Sequence, residues 1–68
     1  MKKYMASFYG INSTGKHEVS IYRDNYADVY SIYYDNEFWC NCNALREFEI
    51  EIRFIEKSFK VKFWFYGF

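Results

Sequence analysis

Proline is absent from this chain, glycine occurs three times, histidine once and cysteine twice, and nine basic residues cancel nine acidic ones. Each scarcity excludes something. Without closely spaced glycines there is no phosphate-cradling loop. One histidine and two cysteines fall short of the four ligands that a structural zinc site needs, so a site would require a carboxylate, water or a second subunit. A net charge of zero leaves no global field to steer the chain toward nucleic acid or an anionic membrane. No apolar run approaches the length of a membrane span. Lys2 and Lys3 are followed by Tyr4, Ser7 and Tyr9, which interrupt any secretory apolar region. The expectation is a cofactor-free cytoplasmic protein that makes no membrane contact.

Aromatic side chains stand where those residues are missing. Eight Phe, eight Tyr and two Trp occur among 68 residues. A single domain of this size buries only about 60% of its unfolded surface, so its stability is marginal. Each ring can bury roughly 150–250 Å², and the core is too small for all of them. Several rings must therefore lie on the surface, where they mark contact sites. Exposed rings at zero net charge also favour self-association. Phe, Tyr, Ile, Asn and Lys, all with A/T-rich codons, make up about half of the chain. That composition fits a low-GC genome and is frequent among bacteriophages and mobile elements.

The last third, from Asn43 to Phe68, holds most of the aliphatic side chains and admits two readings. As strands, Phe48, Ile50, Ile52 and Phe54 alternate with Glu49, Glu51 and Arg53. As a helix, Leu45, Phe48, Ile52, Ile55 and Phe59 form one apolar stripe at spacings of 3 and 4. The hairpin reading needs a turn at 55–58, where no Gly, Asn, Asp or Pro is available. Asn43 is placed to cap a helix. Glu47, Glu49 and Glu51 near its start and Lys57 near its end suit the helix dipole. The chain is thus expected to form a helix over about 44–58 and a strand over about 60–66.

Upstream, 3–11 and 17–23 read as a hairpin around Asn12-Ser13-Thr14-Gly15-Lys16. Tyr4, Ala6 and Phe8 share one face of the first strand; Met5, Ser7, Tyr9 and Ile11 share the other. In the second, Val19 and Ile21 oppose Glu18, Ser20 and Tyr22. A third strand over 27–34 has no clear buried face. Asp35-Asn36 suits a tight turn, because both residues tolerate positive φ, and 38–41 reads as a short fourth strand. The expected fold is α+β: a small antiparallel sheet of four to five strands, β-β-β-(β)-α-β, with one amphipathic helix on one face and tyrosines on the other, in one domain spanning 1–68.

Chemistry is sparse. Cys40 and Cys42 point to one strand face, too close in sequence for an unstrained intrachain disulfide, and read as reduced, partly buried thiols acting as small hydrophobes, ahead of a metal site or an intermolecular disulfide. His17 reads as an exposed residue at a strand start, with Glu18 on the opposite face and the Ser13 and Thr14 hydroxyls bonded to backbone. Catalysis is not expected, and neither is a metal site. Contact is. Ile50 and Phe54 lie opposite the core stripe, flanked by Glu47, Glu51 and Arg53, and fit a protein or homodimer contact. Lys60, Lys62, Trp64 and Tyr66 form an outward row on the last strand, the mixture of cations and rings that single-stranded nucleic acid binders use. The leading expectation is a non-catalytic module that inhibits a host protein complex, in the manner of an anti-CRISPR protein, with its acidic helix facing a basic target. Nucleic acid binding and self-assembly are the alternatives.

Overall fold

A computed structural model describes residues 2–64. In it, β1 (Lys2–Asn12), β2 (Gly15–Asp24), β3 (Val29–Tyr34) and β4 (Glu37–Cys42) form an antiparallel meander. Helix α1 (Leu45–Phe59) then crosses the sheet and delivers β5 (Lys62–Trp64) to the far edge, giving the strand order β4-β3-β2-β1-β5. This is the expected α+β architecture, with one helix covering one face of a five-stranded sheet. The helical reading of 44–58 holds. Tyr66, placed on the last strand from sequence, lies outside the described residues.

Turn chemistry sets the strand pairing. Asp35 and Asn36 both take positive φ (51° and 67°), so β3 reverses into β4 through the two-residue turn that their tolerance of left-handed backbone predicts. At the β1–β2 turn the Asn12 side chain accepts the Thr14 amide at 2.8 Å, an Asx turn.

The core lies between helix and sheet. Phe48, Ile52 and Ile55 are fully buried against Val19, Ile21 and Ile32, with Phe8, Val61 and Phe63 completing the layer. The ends of the predicted stripe are looser. Leu45 is half-buried, and Phe59 is 43% exposed although its ring stacks on Tyr34 at 4.6 Å.

The helix start corrects one expectation. Ala44, not Asn43, occupies the cap position. Glu47 does the work of a cap: its Oε2 accepts the amide of Ala44 (2.8 Å), a donor that a helix start leaves unpaired, and that of Asn43 just before it (2.7 Å). At the other end Lys60 takes the left-handed conformation (φ 52°) and closes the helix. Lys60 is therefore a helix-cap residue rather than part of the strand row. β5 is a short edge strand, and its Phe63 amide donates to Glu56 Oε2 at 2.9 Å, which occupies a donor that would otherwise face outward at the sheet edge.

Candidate binding face

The sheet face away from the helix carries the surplus rings, and two β-bulges put the outermost ones there. In β1 the register passes from Tyr4↔Tyr22 to Ala6↔Ile21, leaving Met5 as the extra residue. Strict alternation would set Tyr4 on the Ala6 and Phe8 side. The bulge turns it to the open face instead, where its hydroxyl donates to Ser7 Oγ at 3.0 Å. In β4 the register passes from Ile32↔Cys40 to Tyr33↔Phe38, leaving Trp39 as the extra residue. Trp39 joins Cys40 on the helix side, where its indole N–H donates to Glu51 Oε1 at 3.1 Å, and Phe38 moves to the open face. Bulges of this kind re-aim side chains.

The result is a continuous edge-to-face ladder across four strands. Ring centroids are 5.6 Å apart for Tyr4 and Tyr22, 5.2 Å for Tyr22 and Tyr33, and 5.8 Å for Tyr33 and Phe38. These separations and the near-perpendicular planes are those that aromatic quadrupoles favour. Lys2 Nζ sits over the Tyr33 and Phe38 rings and donates to the Tyr33 hydroxyl at 2.9 Å. Small side chains fill the floor between rings. Ser7 and Ser20 pair across β1 and β2 with their hydroxyls 3.0 Å apart, and buried Ser31 donates to Asn41 Oδ1 at 2.7 Å.

A second cluster occupies the opposite corner. Tyr9 pairs with Trp64 and Ile11 with Lys62 across the β1–β5 seam. Lys16 Nζ lies 4.4 Å from the Tyr9 ring centre. Tyr9 hydrogen-bonds Glu18, and that carboxylate holds the phenol above its ordinary range. Ser7, Tyr9 and Trp64 border one shallow depression of about 280 Å³; Lys2, Tyr22, Tyr33 and Asn36 border another of about the same volume.

The expected contact residues divide between two layers. Lys62 and Trp64 belong to the open face. Ile50 and Phe54 are more than half exposed on the outer side of the helix, so the sheet separates the two groups. The acidic residues of the helix are partly committed within the fold: Glu47 caps its start, Glu51 accepts from Trp39, and Glu56 holds Phe63. Glu49 and Glu56 each lie 3.6 Å from the Arg53 guanidinium.

Two candidate chemical groups take other roles. Cys40 and Cys42 are free and face the helix. Burial, helped by the Glu51 carboxylate, pushes the Cys40 thiol up to about 12, and burial raises Cys42 as well, so both are poor nucleophiles at neutral pH. His17 is not the exposed strand-start residue expected from sequence. Its Nδ1 is 2.6 Å from Asp35 Oδ2, its Nε2 is 2.6 Å from Thr14 Oγ1 and 2.9 Å from Asn12 Oδ1, and its ring stacks on Tyr34. A carboxylate, an imidazole and a hydroxyl thus stand in the order of a nucleophilic triad. The Thr14 hydroxyl also bonds Asn12 Oδ1 at 2.6 Å, and Asn12 Nδ2 donates to the Phe59 carbonyl at 2.9 Å. The group therefore ties both hairpin turns to the helix end.

Among the described residues no three His, Cys, Asp or Glu side chains gather as metal ligands, and no helix is long and apolar enough to cross a membrane. The chain matches no family model, no curated protein and no solved structure.

Proposed function

We infer that this chain is a non-catalytic binding module whose contact surface is the open face of the sheet. The observation that carries this reading is the concentration of exposed rings on a layer where burial does not require them: Tyr4, Tyr9, Phe38 and Trp64 are all exposed there. A solvated sheet face is ordinarily polar, and contiguous exposed aromatic surface marks interaction sites. The ring-to-ring ladder keeps Tyr4 and Phe38 ordered before a partner arrives, which lowers the entropic cost of association.

The test compares wild-type chain with a Tyr9→Ser/Trp64→Ser variant, each immobilised and exposed to cell lysate, with captured protein and nucleic acid measured separately. The reading expects the wild type to retain a partner that the variant loses while circular dichroism stays unchanged. Equal capture by both would remove it.

A second reading rests on Ile50 and Phe54, an exposed apolar pair one helical turn apart on the outer side of α1. It is a protein or homodimer contact, and in its finest form an inhibitor of a host complex such as an anti-CRISPR protein. The support for that last step is the A/T-rich composition alone. Ile50→Ser/Phe54→Ser should abolish association in sedimentation experiments and leave the fold intact.

A further inference from the structure

We propose that the open face binds single-stranded nucleic acid, with Tyr9 and Trp64 as stacking platforms and Lys2, Lys16 and Lys62 as phosphate contacts. This rests on the reading of the open face as the contact surface and names its ligand class.

Charge decides between ligand classes. The cations of this face are lysines, and they stand beside its rings: Lys2 over Tyr33 and Phe38, Lys16 over Tyr9, and Lys62 in the pair next to Trp64. The arginine nearest in β2, Arg23, faces the other way, ion-paired with Asp28 and stacked on Tyr30. Lysine is depleted at the centres of protein–protein interfaces, where arginine is enriched. Lysines interleaved with rings suit a ligand that carries a phosphate for every base.

The carboxylates near this surface are already engaged. Glu18 accepts the Tyr9 hydroxyl. Asp24 accepts the amides of Tyr26 and Ala27, and the Ala27 bond foremost holds it below the ordinary carboxylate range. Both carboxylates keep their charge, so Lys2, Lys16 and Lys62 leave this face with a local excess of positive charge over Glu18 and Asp24 although the net charge of the chain is zero.

Geometry favours single strands over a duplex. The Tyr4–Phe38 ladder is locked edge to face, so each inner ring is already packed against its neighbours. Tyr9 and Trp64 sit apart from it across the Ser7 and Ser20 floor, more than two-fifths exposed. Rings in that position can receive unstacked bases, which a duplex does not offer. Asn36, which borders the second depression, supplies a donor for sugar and base edges beside Lys2.

The experiment titrates the full chain, in a Trp39→Phe background that leaves Trp64 as the reporter, with a labelled oligothymidylate of about 12 nucleotides. At low salt the oligonucleotide anisotropy should rise and Trp64 emission should be quenched. Affinity should fall with salt at a log–log slope of roughly −2, the value for three phosphate contacts on a single strand. Lys2→Gln/Lys16→Gln/Lys62→Gln should flatten that slope. Tyr9→Ala or Trp64→Ala should weaken binding by at least about fivefold, with circular dichroism unchanged. A duplex of the same length should bind more weakly. No anisotropy change at low salt overturns the proposal, and so does a duplex bound equally well. If oligonucleotides fail but the Tyr9→Ser/Trp64→Ser variant loses a protein captured from nuclease-treated lysate, the nucleic acid assignment falls and the binding-module reading stands. If the variant loses nothing, both fall.

Discussion

The two faces of the one sheet are built from different side chains for different ends. Toward the helix, Val19, Ile21 and Ile32 meet Phe48, Ile52 and Ile55, all inaccessible to water. Away from it stand tyrosines, Phe38 and Trp64 over buried serines. Aliphatic groups gain only by leaving water, whereas a tyrosine presents an apolar body and a polar tip and is stable half in and half out. The helix side is therefore the part that makes the chain fold. The open face is ordered but not consumed by folding. Its rings are held by one another and by hydroxyls, and they keep area to offer. Substitutions that separate stability from binding test that division.

The largest effect should come from the helix side. Phe48→Ala removes a fully buried ring that packs against Phe8 at 5.8 Å between centroids, at a cost of about 3–5 kcal/mol. A chain of this length has only roughly 3–10 kcal/mol in total, so in urea at 25 °C the variant should lose at least about a third of its stability, with a matching fall in midpoint. A fully cooperative transition at wild-type denaturant would show that the core lies elsewhere.

Gly10→Ala comes next, because it strikes the seam where the two faces share a strand edge. A Cβ there would meet the Lys62 carbonyl oxygen at 2.4 Å and Phe63 Cδ1 at 3.0 Å. The first contact is backbone and cannot rotate away, so β5 must shift from β1. The expected loss is about 1–3 kcal/mol. Because β5 carries Lys62 and Trp64, any ligand of the open face should also bind less tightly. Stability and binding should fall together here through one shift of β5.

Much of the helix side could be read in advance, and the open face only in part. The stripe through Phe48, Ile52 and Ile55 repeats at helical spacing and has no turn residues to break it, so its burial follows from local pattern. Asp35-Asn36 likewise declares its turn. The bulges at Met5 and Trp39 declare nothing. Each residue is a good β-former among others, and the extra position arises only from how neighbouring strands align. Alternation alone therefore sets Tyr4 with the core, and the four-ring ladder stays hidden. His17 escaped for the same reason. Asp35 is 18 residues away in sequence, and only the pairing of β2 with β3 brings it within 2.6 Å. The Glu47 cap is local, yet its glutamate is equally at home in a dipole argument, so sequence does not distinguish the two roles.

On the open face, Tyr22→Leu keeps an apolar side chain but removes the middle of the ladder, with its contacts to Tyr4 and Tyr33. The expected cost is about 1 kcal/mol, read as a shift in urea midpoint, and Tyr22→Phe should restore it. A loss as large as that of Phe48→Ala would mean that the open face helps to hold the fold and that the two faces do not divide the work.

The smallest effect is absent at neutral pH and appears only in alkali. It separates the faces by the cause of a shared shift. Cys40 and Tyr34 on the helix side both resist deprotonation because they are buried; Tyr34 also feels Asp35, and its hydroxyl lacks a hydrogen-bond partner among the described residues. Above about pH 9 the unfolded chain begins to release the Cys40 proton while the folded chain retains it up to about 12. The unfolded state then binds fewer protons, so stability falls as pH rises through that window and is fully present below it. Tyr9 on the open face shifts in the same direction for another reason, its hydrogen bond to Glu18. Glu18→Gln should therefore return Tyr9 toward the ordinary tyrosine range in a spectrophotometric titration, and added salt should weaken what remains of the neighbour's charge. Glu18→Gln should leave Tyr34 where it is, because that shift comes first from burial and then from Asp35. If Glu18→Gln moved both phenols alike, the helix side would be wetter than its packing implies.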